Sequence, residues 1–153
     1  MIANVAGPGA PLSLIHWDDL GLTRSYDGQT AMFQAGKLND LLGLSFAERR
    51  ETRPIRYVLW HPGATATGLV GDYDETSAAH VATLKRHGKP ASVAAARIAA
   101  TLDDPPAEPL SAFVETRRIA ITPATGFDAS AARRLETLTE DLLAPAVRPT
   151  ERP

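Results

Sequence analysis

Two residues one helical turn apart set the chemical question. Phe33 and Lys37 are four positions apart, so on a helix their side chains share a face. A cation there can favour the ionised form of an acid beside it, but a phenyl ring has no proton to give. The other groups able to do chemistry are scattered. Tyr26 precedes the helix and Ser13 falls in a loop. His16, His61, His80 and His87 do not converge with acidic residues at a metal-ligating spacing, so no metal site is expected. The chain has no cysteine, which excludes disulfides, thiolate metal sites and a cysteine nucleophile, and fits a cytoplasmic location.

Composition narrows the classes further. At 153 residues the chain can bury a real core as one domain, and its 44% hydrophobic content is ordinary for a globular protein. A net charge of −2 makes no electrostatic case for nucleic acid or an acidic membrane surface. No apolar run approaches the ~20 residues that span a bilayer.

The elements that must position these residues follow from periodicity. The stretch 28–47 reads as a helix, with Ala31, Ala35, Leu38, Leu42 and Phe46 as its apolar stripe. Asp27 suits its start, and Arg49 and Arg50 suit its end. Ile2 to Val5 reads as a buried strand ending at Gly7-Pro8-Gly9, and residues 8–26 as loop. Ile55 to Trp60 is a second strand stopped by Pro62-Gly63, and Arg118 to Thr122 a third. A short helix starts at Thr76 or Ser77 and ends at Gly88, with Val81 and Leu84 inward. Another follows Pro90, with Ala94, Ile98 and Leu102 in line, and a last one is capped by Asp128. Residues 107–116 are weakly patterned. Strands alternating with helices predict an α/β fold with parallel pairing over residues 1–143, and the proline-rich tail 144–153 is expected to be disordered.

One series of short motifs carries a resemblance. Asn4-Val5, Trp17-Asp18-Asp19-Leu20, Tyr26-Asp27-Gly28, Gln34 to Leu38 and His61-Pro62-Gly63-Ala64-Thr65-Ala66-Thr67 follow in this order. Each alone is weak, but together they resemble the second half of a short-chain dehydrogenase/reductase (SDR), nearest to the retinol-dehydrogenase-like branch. The likeness runs from residue 1 to about residue 143. It implies the C-terminal half of a Rossmann-type doubly wound sheet, with about three parallel strands and covering helices.

The resemblance also implies roles. A Tyr four residues before the helix Lys is the family's general acid/base. The Lys lowers its pKa and holds the nicotinamide ribose. In this chain the Lys position is kept as Lys37 and the Tyr position is Phe33, which is not competent. The family's Ser position falls at Ala6-Gly7, and its helix Asn lies upstream of residue 1. Pro62, Gly63 and Thr67 match the turn and the Thr that meet the nicotinamide, so with Lys37 they are the expected contacts to NAD or NADP. Glycine suits such a turn because it has no Cβ to keep backbone and ligand apart. His61 stands where the branch also tends to have His. An isolated helix Lys is otherwise expected on a solvated face.

The dinucleotide fingerprint is missing from these residues. Gly7-Pro8-Gly9 has no further glycine at the needed spacing, and Pro8 removes a donor. The expectation is therefore an NAD(P)-dependent oxidoreductase by family, acting on a lipophilic carbonyl or alcohol under a lid of residues 64–88, but truncated and catalytically inactive as this chain. Met1 is compatible with an internal methionine of a longer ancestral reading frame. The alternative is a non-catalytic binding or interaction module. It would pair through an exposed sheet edge at residues 2–6 with a complete reductase or with its own copies.

Overall fold

A computed structural model describes residues 1–49 and 55–147. Strands β1 (Ile2–Val5), β2 (Tyr57–His61) and β5 (Leu110–Val114) pair in parallel, and β6 (Arg117–Ile119) returns antiparallel to β5. The sheet order is β1-β2-β5-β6. Helix α1 (Gly28–Glu48) separates β1 from β2. Between β2 and β5 run β3 (Thr65–Ala66), α2 (Glu75–His87), β4 (Lys89–Pro90) and α3 (Ala91–Asp103), with β3 and β4 forming a small parallel pair. Helix α4 (Ala129–Val147) closes the described chain. The architecture is α/β with a mostly parallel sheet.

The central strand β2 buries Tyr57, Val58, Leu59 and Trp60, the near-continuous apolar run of a parallel strand covered on both faces. Leu59 and Ala112 meet Phe127 in one core cluster, with Phe46 packed against it and its ring 5.4 Å from that of Tyr57. A second cluster joins Leu41 of α1, Ala132 and Leu135 of α4 and Ile15 of the first loop.

Several sequence expectations are corrected. The third parallel strand is Leu110–Val114 rather than 118–122. Ser111 is buried in it and interrupts the apolar pattern, which hid the strand. Glu115 adopts φ 56°, a left-handed turn, and throws residues 117–119 back as the antiparallel strand. The first strand is not buried. It has a neighbour on one side only, and Val5 keeps 59% of its surface exposed.

The buried face of α1 is also not the expected stripe. Ala35 and Leu42 are exposed, and the helix instead buries Gln34, Lys37, Asp40 and Leu41. The cause is the loop that lies over it. Gln34 Oε1 accepts the His16 N–H at 2.8 Å, and its Nε2 donates to the Leu20 carbonyl at 2.9 Å. Backbone groups covered by a helix need polar partners, so the inward face is partly polar.

The caps stand as expected at Asp27, whose Oδ1 accepts the Thr30 N–H at 2.7 Å, and at Asp128, which accepts from Ala131 at 2.8 Å. Asp74, rather than Thr76 or Ser77, caps α2. Helix α4 runs on through Pro145 to Val147, where the expectation was a disordered tail. The expected role of Arg50 and residues 148–153 of the expected tail fall outside the described residues. No helix among them is long and apolar enough to cross a membrane.

Candidate functional site

A crevice of about 550 Å³ opens at the carboxyl ends of β1, β2 and β5. This is where open parallel sheets place their ligands, because the loops diverge there. The loop after β1 supplies Ala6, Gly7, Pro8 and Ala10. The turn after β2 supplies His61, Pro62 and Gly63, β5 supplies Val114, and α1 contributes Met32, Phe33, Ala35, Gly36 and Asn39.

The α1 wall comes close because two glycines face each other. Gly7 N–H donates to the Gly36 carbonyl at 3.3 Å, and a Cβ on either residue would sit 3.4 Å from backbone of the other. The opposite rim is held from behind. Glu115 N–H donates to the His61 carbonyl at 2.8 Å, and Lys89 Nζ donates to the Pro62 carbonyl at 2.7 Å while pairing with the Glu115 carboxylate. Gly63 takes φ 74°, and a Cβ there would fall 2.5 Å from Glu115 Oε1. Only glycine makes this turn without strain.

The sequence-derived candidates divide. Phe33, Pro62 and Gly63 line the crevice, as do Ala6 and Gly7. Phe33 is 47% exposed on its wall. Thr67 is exposed and does not line the crevice, and neither does Lys37. Lys37 is fully buried, against the expectation of a solvated face, with Nζ 3.2 Å from Asp40 Oδ2 and 4.9 Å from the Phe127 ring centroid. Burial pushes the Asp40 carboxyl up to about 6, with the Lys37 charge offsetting part of that rise. Tyr26 stands away from Phe33, on a second cavity of about 460 Å³ between the start of α1 and α2, where it faces Tyr73, Asp27 and Asp74. Met32 lines both cavities.

The sequence reading missed Asp40 and Asn39. Asp40 had a signal, since an acid three residues after a Lys on a helix can reach it. Asn39 had none, because which wall a polar helix residue faces depends on what packs around the helix. Among the described residues no group of three His, Asp or Glu could hold a metal ion.

As a place for a dinucleotide the residues do not fit. The cation expected at the ribose is taken up by Asp40, and Ala6, Gly7 and Phe33 present no hydroxyl. What the arrangement can do is enclose an apolar molecule beside a few polar atoms.

No family model, no curated protein and no solved structure matches this chain.

Proposed function

We propose that this chain is a short-chain dehydrogenase/reductase-like protein whose crevice binds a small lipophilic molecule without oxidising or reducing it. One observation carries the reading. The crevice wall presents Phe33 where the resembled family needs a phenol, and Ala6-Gly7 where it needs a hydroxyl. A phenyl ring and two side chains without heteroatoms transfer no proton, and a missing acid/base typically costs ~10²–10⁴ in rate. The NAD or NADP expected from the resemblance has Pro62 and Gly63 in its favour. Against it stand Lys37, spent on Asp40, and Thr67, outside the crevice. The cysteine-free composition supports a cytoplasmic setting.

The test is to titrate NADH and NADPH against the purified chain by fluorescence, with and without a lipophilic ketone. The expected result is no saturation below roughly 1 mM, a free energy weaker than about −4 kcal/mol, and no consumption of reduced cofactor. Tighter saturable binding with turnover would restore the oxidoreductase reading. The double substitution Gly7→Ser with Phe33→Tyr is expected not to create turnover.

A second reading, an interaction module, has its own observation. Ile2 and Ala6 direct their N–H groups to Arg56 and Trp60, so the intervening Ala3 and Val5 turn theirs to the open edge. Such an edge accepts a further strand, from a complete reductase or from a second copy.

A further inference from the structure

The crevice is chemically sparse in a way that points to a particular ligand feature. Of the residues lining it, only Asn39 and His61 carry polar side chains. His61 is oriented by its own turn, since Gly63 N–H donates to His61 Nδ1 at 3.1 Å. A ring nitrogen that accepts an N–H holds a lone pair, so the neutral imidazole carries its proton on Nε2. Among the described residues no protein group meets Nε2. The turn itself is fixed, because the carbonyls of His61, Pro62 and Gly63 accept from Glu115 N–H, Lys89 Nζ and Thr65 Oγ1. Held this way, Nε2 donates and does not accept. It can anchor an acceptor but cannot serve as a base while the Gly63 bond stands.

We propose that His61 is the specificity-determining residue of the crevice. Its Nε2–H, seconded by the Asn39 amide, selects apolar molecules that end in a bare hydrogen-bond acceptor over equally apolar ones that lack it. The inference rests on the binding reading above and deepens it by naming the feature of the ligand that is recognised. An apolar wall gives affinity without discrimination, whereas one oriented donor at its exposed rim adds the net worth of a hydrogen bond only for a molecule that can accept it. The net worth of one such bond corresponds to a preference of roughly five- to tenfold.

The experiment uses two fluorescent probes, the naphthalene ketone prodan and its analogue with the carbonyl replaced by a methylene. Each is titrated against wild type, His61→Leu, His61→Gln and Phe33→Asp, with circular dichroism confirming that each variant is folded. The expected result has four parts. Wild type prefers the ketone roughly five- to tenfold, His61→Leu erases the preference, and His61→Gln, which keeps an N–H donor, retains part of it. Phe33→Asp weakens both probes by charging the wall. If both probes bind and respond to Phe33→Asp but the preference is absent, or survives His61→Leu, the role of His61 is overturned and the binding reading stands. If neither probe binds, or binding ignores Phe33→Asp, the crevice is not the binding site and both fall.

Discussion

Lys37 Nζ lies 3.2 Å from Asp40 Oδ2, and neither side chain reaches solvent. The pair joins two residues of α1 one turn apart, on the face the helix turns away from water. A buried pair adds little over an apolar replacement, but removing one partner leaves a charge with nothing to compensate it. At neutral pH Asp40→Ala removes the counter-charge of Lys37 but also a carboxylate that burial disfavours, so its expected loss in urea denaturation is smaller than the about 3–5 kcal/mol of a wholly uncompensated buried charge. Lys37→Met together with Asp40→Leu is expected to recover most of that loss. A double variant no more stable than Asp40→Ala would mean that the pair is not what holds Lys37 inside.

Asp40 also makes a pH prediction. Its carboxyl titrates at about 6 in the folded chain against an ordinary 3.8, because burial disfavours the charged form more than Lys37 favours it. A raised value means that the folded state binds the proton more tightly. That contribution is complete below pH 3.8 and is lost as pH rises through about 6. Urea midpoints of wild type are expected to fall between about pH 4 and about pH 7, and those of Asp40→Asn to stay flatter there. Asp19, Asp27 and Asp74 are lowered by the backbone amides that donate to them, so their contributions change at more acid pH and do not mask this window. Equal slopes for wild type and Asp40→Asn would remove Asp40 from the account.

Gly63 is a third test. Its φ of 74° and the 2.5 Å approach of Glu115 Oε1 to a would-be Cβ both oppose a side chain. Gly63→Ala is expected to cost more than about 1 kcal/mol. It should also loosen the His61 turn, so prodan binding is expected to weaken along with stability. A fully stable Gly63→Ala chain with wild-type binding would show that the turn has room to relax.

The open edge of β1 gives the fourth. Val5 is 59% exposed, on a strand paired on one side only. If the edge recruits strands, the wild-type chain associates in light scattering as its concentration rises. Val5→Lys, which places a charge on the edge, is expected to hold it monomeric. A wild-type chain that stays monomeric at every concentration would argue against the interaction reading.

Much of the fold was legible one residue at a time. Asp27 and Asp128 stand directly before helices whose first amides they accept, and a local bond of that kind follows from local sequence, whereas the cap of α2 at Asp74 lies two to three residues before the Thr76 or Ser77 that the sequence suggested. The run Tyr57 to Trp60, within the expected strand Ile55 to Trp60, announced a strand because all four residues are of strand-favouring or apolar type, and the sheet order placed it inside the sheet. The strand Leu110–Val114 was not legible. Its burial comes from β2 beside it, and a buried Ser111 breaks the pattern that would have announced it. The inward face of α1 was misread for a related reason. Gln34 earns its burial from the carbonyl of Leu20 and the amide of His16, neither of which a helical wheel can see.

The candidate site divides along the same line. The residue types at positions 6, 7 and 33 already ruled on proton transfer, since no packing adds a hydroxyl to Ala6, Gly7 or Phe33. By itself the sequence determined the type of most elements, the helix caps at Asp27 and Asp128 and the lack of acid/base chemistry at those positions, all of which are properties of single residues and their near neighbours. Only the tertiary structure decided that Lys37 turns inward to Asp40, that the side chains of β1 stay largely exposed, and that His61 and Asn39 share one crevice. Burial and convergence belong to pairs of segments far apart in the chain, and a residue's type does not say which distant segment will pack against it.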